Sequence, residues 1–200
     1  MNFATTPQPQ STPWGAPQRA DALLPGIWSV STASHGGLML SDARQRAMPD
    51  ALRGAQAAYE EDVDWAAVFV AFEDELRASA HPRVAIELAL AHDTMRHWRP
   101  RDYAAFTGRA VATAESQVLR AIAGYTAVIG EYVATTAFGS WADWVPDGKV
   151  GVYGKRVIGV SHLGFAIYDE DDRVRALVDA SRYAERRDIN TLAALGAKPC

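Results

Sequence analysis

Three groups of side chains have the types and spacing for chemistry. His35 stands in the string Ser34-His35-Gly36-Gly37. A histidine in a glycine-rich turn is sterically open, and its ordinary pKa suits proton transfer near neutral pH. Downstream, Glu60, Glu61, Asp62 and Asp64 crowd one short stretch. Carboxylates are hard oxygen ligands for divalent cations, and at helical spacing Glu60 shares a face with Asp64, as does Glu61. The catalytic candidates are therefore His35, Glu60 and Asp62. The structural alternatives are a hairpin tip whose histidine faces water and a set of acids favoured by the dipole of a helix N-terminus. The third group is Trp141-Ala142-Asp143-Trp144, in a loop that closes at Pro146-Asp147-Gly148. Trp is enriched at interface hot spots, so Trp141, Asp143 and Trp144 are candidate partner contacts; the alternative is that both rings cap the end of a sheet.

Other constellations carry less. Ser161-His162-Leu163-Gly164 repeats the His35 string. The two resemble the paired His-x-Thr/Ser units of some phosphoesterases, but Gly37 and Gly164 stand where the phosphate-holding hydroxyls belong. His92, Asp93 and His97 lack the spacing of a His-Glu-x-x-His zinc site, and an ion pair of Asp93 with His97, one helical turn on, is the simpler expectation. Arg96, Arg99, Arg101 and Arg109, with Trp98 and Tyr103 among them, are candidate nucleic-acid contacts, although Trp98 also completes an apolar helical stripe. No phosphate loop, dinucleotide fingerprint or Gly-x-Ser-x-Gly elbow is present.

Composition narrows the classes. The chain has 200 residues, 48% apolar and 22% charged, with a net charge of −4. That balance supplies no general attraction to nucleic acid or anionic membrane. Cys200 is the one cysteine, which excludes an intrachain disulfide or cysteine–zinc cluster. No apolar run approaches the roughly 20 residues of a membrane span, and no signal peptide is read at the N-terminus, so the expectation is a cytoplasmic protein without membrane contact.

The elements that must position these residues read as α+β: an N-terminal β-hairpin, central helices, and a C-terminal antiparallel β-meander with a helix. Residues 1–12 are expected to be a disordered or extended arm, with 1–10 dispensable and Trp14 pinning the arm. Residues 13–200 are expected to form a single domain. Ile27–Ser31 alternates as a half-buried strand and Leu38–Leu40 is a second short strand, around a Ser34–Gly37 tip. Ser41 or Asp42 caps a short helix ended by Pro49. A helix is predicted from Tyr59, its first turn holding the acids near the hairpin and its buried face carrying Trp65, Val68, Phe69, Phe72 and Leu76. His81-Pro82 opens a helix whose stripe is Val84, Leu88, Ala91, Met95 and Trp98, and Pro100 stops it. A short helix ends at Gly108, and another runs from about Thr113 to Ala123, ended by Gly124. Thr126–Thr136 reads as a strand, Lys149–Tyr153 and Arg156–Val160 as a hairpin turning at Gly154-Lys155, and Leu163–Tyr168 as a strand. Asp172 is expected to cap a helix through Tyr183, and Asn190 one that ends at Gly196.

Thr12-Pro13-Trp14-Gly15, Gly26-Ile27, Ser31 to Gly37, Leu40-Ser41, Met48-Pro49 and Tyr59-Glu60-Glu61-Asp62 with Trp65 together resemble an uncharacterised domain of bacterial plasmids, phages and integrated elements. The resemblance covers about residues 12–76, with a weaker continuation at 138–150. It implies a mobile-element accessory protein and no particular activity. The expected mode of action is binding to a protein or protein–nucleic-acid complex of the host, as in an anti-CRISPR or antirestriction inhibitor, with no cofactor or metal. The alternative is a small metal-assisted hydrolase or nucleic-acid processing enzyme using His35 and the acids from Glu60 to Asp64.

Overall fold

Gly26, at a φ of 78°, turns the chain after Pro25 and joins β1 (Arg19–Leu24) to β2 (Ile27–Ser31), which runs back beside β3 (Gly36–Leu40). The computed structural model describes residues 3–79 and 83–200. Within it the chain gathers into two units, Met1–Ser116 and Gln117–Cys200, each with its own antiparallel four-stranded sheet and its own apolar core, where the sequence reads as one domain from residue 13 onward. The class is α+β, as the element pattern predicts.

In the first unit the hairpin turn is Thr32 to His35, closed by the Thr32 N–H donating to the His35 carbonyl at 2.7 Å. Gly36 and Gly37 are therefore not the tip but the start of β3, and packing explains them. A Cβ on Gly37 would lie 2.2 Å from the Tyr59 carbonyl oxygen and 2.6 Å from the Trp14 ring, and one on Gly36 would lie 2.5 Å from a Glu61 carboxylate oxygen. The helix α1 (Asp42–Ala47) is capped by Ser41, whose hydroxyl accepts the Arg44 N–H. Tyr59 does not open a helix. Ala58–Glu60 forms β4, paired with β3 through Leu38–Tyr59 and Gly37–Glu60. The Tyr59 phenol is buried, donating to Gln45 and accepting the Gly54 N–H, both at 2.9 Å. Burial of that ring outweighs the helical spacing, so the acids from Glu61 to Asp64 lie in a turn.

Helices α2 (Trp65–Ala71) and α3 (Glu73–Ala78) follow, separated at Phe72. Val68, Phe69, Phe72 and Leu76 pack with Ile27, Leu38 and Leu40 of the sheet. The helix α4 (Val84–Trp98) adds Leu88, Ala91 and Met95, and α5 (Pro100–Thr107) starts at the proline and ends at left-handed Gly108. The start expected at His81-Pro82 lies outside the described residues. Trp98 is not core: it is 48% exposed, because Met95 is the last buried position of the stripe and the chain turns at Arg99.

Arg44 is fully buried. Its terminal nitrogens donate to both Glu75 oxygens at 2.8 and 2.7 Å, its Nε–H donates to the Pro25 carbonyl at 2.9 Å, and its guanidinium carbon lies 3.7 Å from the Phe3 ring centre and 4.6 Å from that of Phe72. The N-terminal segment is extended but docked. Thr6 accepts the Trp28 indole N–H at 3.0 Å, and Phe3 meets Phe72 edge-on.

In the second unit, α6 (Gln117–Thr126) runs through Gly124, where a Cβ would meet Ile189 at 2.6 Å. The strand expected from Thr126 starts later, as β5 (Tyr132–Phe138). The hairpin expected at Gly154-Lys155 is one unbroken strand, β6 (Lys149–Val160), because Gly154 lies under Leu192, 2.7 Å from where its Cβ would stand. The helix expected from Asp172 through Tyr183 is instead the second half of β7 (Ala166–Asp179) followed by the short α7 (Ala180–Ala184). Cross-strand pairs hold the acids extended: Lys155 with Glu170, and Arg156 with Asp169 and Asp172. Where Asn190 is expected to cap a helix, Thr191 bridges to Val133 and residues 192–196 form turns, and β8 (Lys198–Pro199) closes the order β5-β6-β7-β8. Tyr168 on β7 has its phenol pushed up to about 12 by burial and by its neighbour Tyr125.

Candidate functional site

The sheet of the first unit brings His35 and the acids together. Strand pairing sets Glu60 opposite Gly37, and the Glu61 N–H donates to the Gly36 carbonyl at 3.1 Å. One ligand atom each from His35, Glu60 and Glu61 lies within 4.8 Å of the others. His35 Nδ1 is 3.8 Å from one Glu60 oxygen, and the other Glu60 oxygen accepts the Asp62 N–H at 2.9 Å. Asp62 thus supports Glu60 through its backbone, and Glu61 supplies the third ligand atom. Asp64 points elsewhere, to Arg99 at 3.2 Å.

Glu61 also lines a cavity of about 620 Å³. Ser29, Ser31, Arg19 and Asp21 from β1 and β2 line one side, and Trp65 and Phe69 of α2 line another. These two rings meet edge-to-face, 4.9 Å between centres. The strand β1 gave only a weak sequence signal: Arg19 to Ala22 alternate polar and apolar, but Arg19–Leu24 has no β-branched or aromatic residue.

His92 does not belong to a cluster with Asp93 and His97. Its Nδ1 lies 2.9 Å from the Tyr103 hydroxyl and its Nε2 lies 2.9 Å from Glu73. Burial works to raise the Glu73 pKa, but hydrogen bonds from Arg77 and His92 outweigh it and hold the carboxyl below its ordinary value. An ionised Glu73 can only accept, so His92 Nε2 is the donor in that bond. The group ties α3, α4 and α5 together. The arginine candidates are largely matched by acids: Arg96 pairs with Asp93, and Arg99 pairs with Asp64 and Asp102. Arg101 is exposed.

In the second unit the two tryptophans differ. Trp144 is half-buried over Gly151, with Phe138 and Tyr153 at 5.5 and 5.9 Å between ring centres and the Arg175 guanidinium 5.1 Å from its ring. Trp141 is 75% exposed and touches Phe138 at its back, 5.6 Å away. Asp143 between them is exposed. His162 is exposed in the β6–β7 turn, where Ser161 Oγ accepts the Phe165 N–H.

A family model described as a domain of unknown function, DUF7007, matches residues 7–129. The chain belongs to the DUF7007 family. The match takes in the whole first sheet, helices α1 to α5 and α6, and hence the His35 cluster and the cavity. The Trp141 loop lies beyond the DUF7007 match. No curated protein and no solved structure matches the chain. No described helix is long and apolar enough to cross a membrane.

Proposed function

We propose that this DUF7007 protein acts by binding a macromolecule, with Trp141 as the central contact. The observation that carries the reading is the 75% exposure of Trp141 on a loop held from behind by the Phe138, Trp144 and Tyr153 rings. A large aromatic held in place and facing solvent loses little conformational freedom on docking, which is the profile of a hot spot. Asp143 adds a charged contact at its side. The resemblance of the N-terminal signature to mobile-element proteins suggests the target, a host defence complex of the restriction or CRISPR type. The test is phage plating on a restricting or CRISPR-immune strain. Expression of the chain raises plating, and Trp141→Ala removes the effect with an unchanged melting temperature. Plating left unchanged by the wild-type chain removes the defence target, and full activity of Trp141→Ala removes the loop.

The convergence of His35, Glu60 and Glu61 favours a second reading, a metal-assisted hydrolase. Manganese then raises the melting temperature of the wild-type chain and not of His35→Ala; identical shifts in both dismiss it.

A further inference from the structure

The cavity beside β1 and β2 carries a chemistry that neither reading uses. Its volume of about 620 Å³ falls within the range of small-ligand sites. Trp65 and Phe69 are its aromatic wall, and three carboxylates, Asp21, Glu61 and Glu87, stand around it with one guanidinium, Arg19. Arg19 is already engaged, its Nε–H donating to Asp21 at 2.6 Å. The Glu61 carboxylate has no hydrogen-bond or ion-pair partner among the described residues. Its backbone is anchored, the Glu61 N–H donating to the Gly36 carbonyl at 3.1 Å, and the glycine leaves room for the carboxylate oxygen.

An aromatic wall beside an uncompensated carboxylate selects among ligands. A ring attracts a cation through its quadrupole, and a carboxylate accepts the two parallel N–H bonds of a guanidinium. An anion meets three carboxylates, and a hydrated metal ion gains nothing from Trp65. We propose that this cavity binds a guanidinium-bearing organic cation, with Glu61 as its counter-ion and Trp65 as the surface it packs on. Two sources offer that chemistry, a free small molecule and an arginine side chain of a partner. The inference rests neither on the Trp141 loop nor on a metal at His35.

The experiment is calorimetric titration of the full chain with agmatine, with N-butylurea as an uncharged control and acetyl-Gly-Arg-Gly-amide as the chain-borne guanidinium. The expected result is saturable, millimolar binding of agmatine, as suits a ligand of that size, and none of butylurea. Glu61→Gln weakens binding about tenfold or more, the loss expected for a charged hydrogen-bond acceptor. Trp65→Leu, which keeps apolar volume and removes the ring, weakens it severalfold. A tighter peptide than agmatine assigns the cation to a partner's arginine, and the reverse order assigns it to a free molecule. Thermal melts confirm that each variant is folded. The proposal is overturned if neither guanidinium binds, if butylurea binds as well as agmatine, or if a folded Glu61→Gln binds like the wild type.

Discussion

Arg44 carries a charge that the fold meets on every side, and its two ends of the ion pair are unequal. The arginine is fully buried, while the Glu75 side chain is 38% exposed. Removing the arginine leaves a carboxylate that water can reach. Removing the carboxylate charge leaves a guanidinium in the core with only the Pro25 carbonyl and the Phe3 and Phe72 rings to offset it. Stranding a buried charge costs about 3–5 kcal/mol, and replacing a buried ion by an apolar side chain of similar volume costs far less. Glu75→Gln is therefore expected to destabilise the first unit more than Arg44→Met, by roughly 2 kcal/mol, read from urea midpoints. Equal losses would show that the pair is not held by charge. Nothing in the sequence marks Arg44, because its partner lies 31 residues away and the two meet only through the packing of α1 on α3. His35 and Glu60 were legible because residue type alone suggests chemistry. That Glu61 rather than Asp62 joins them was not, since it depends on β4 being a strand.

At the scale of elements, the strongly alternating β2 and the stripe of α4 could be read directly. Of the strands that the sequence did not show, β1 and β4 were hidden for different reasons. The edge strand β1 alternates only through alanines, with no β-branched or aromatic residue to mark it, and β4 is three residues whose helical spacing is overridden by burial of the Tyr59 ring. Gly154 and the Asp169–Asp172 run look like turns, but in β6 and β7 the glycine makes room for Leu192 and the acids find cross-strand cations. The same lesson applies to the N-terminal arm. Its composition suggests a dispensable segment, yet Phe3 covers Arg44 and Phe72, and Thr6 holds the Trp28 indole. Half-burying a phenylalanine is worth about 1–1.5 kcal/mol, and the hydrogen bond about 1 kcal/mol. Deleting residues 1–10 should then cost roughly 2–3 kcal/mol, and Phe3→Ala should account for more than half of it. Urea unfolding with an unchanged slope would measure both. A deletion that leaves the midpoint in place would mean that the arm only rests on the surface.

On the scale of the molecule, among the described residues each sheet is built from its own strands and each core from its own side chains. The first core runs from Phe3 to Tyr103 and the second from Tyr132 to Ala197. Sequence periodicity finds elements but does not say which of them close a core together, so a boundary at Ser116 carries no local signal. The proposed binding mode is illegible for a related reason: a partner is a property of a surface and a second molecule, and the proposal rests on the exposure of Trp141. The separate cores make a direct prediction. Residues 1–116 expressed alone keep every strand of their sheet and every buried residue of their cluster, so they should fold without the rest. The fragment should unfold cooperatively in urea with a slope of about 1–2 kcal/mol per molar and keep a near-ultraviolet signal from its tryptophans. Within it, Leu88→Ala should remove about 3 kcal/mol, because Leu88 is fully buried among the α2 and α4 side chains. A fragment that binds hydrophobic dye, melts without a transition and is indifferent to Leu88→Ala would mean that the first core is not complete in residues 1–116.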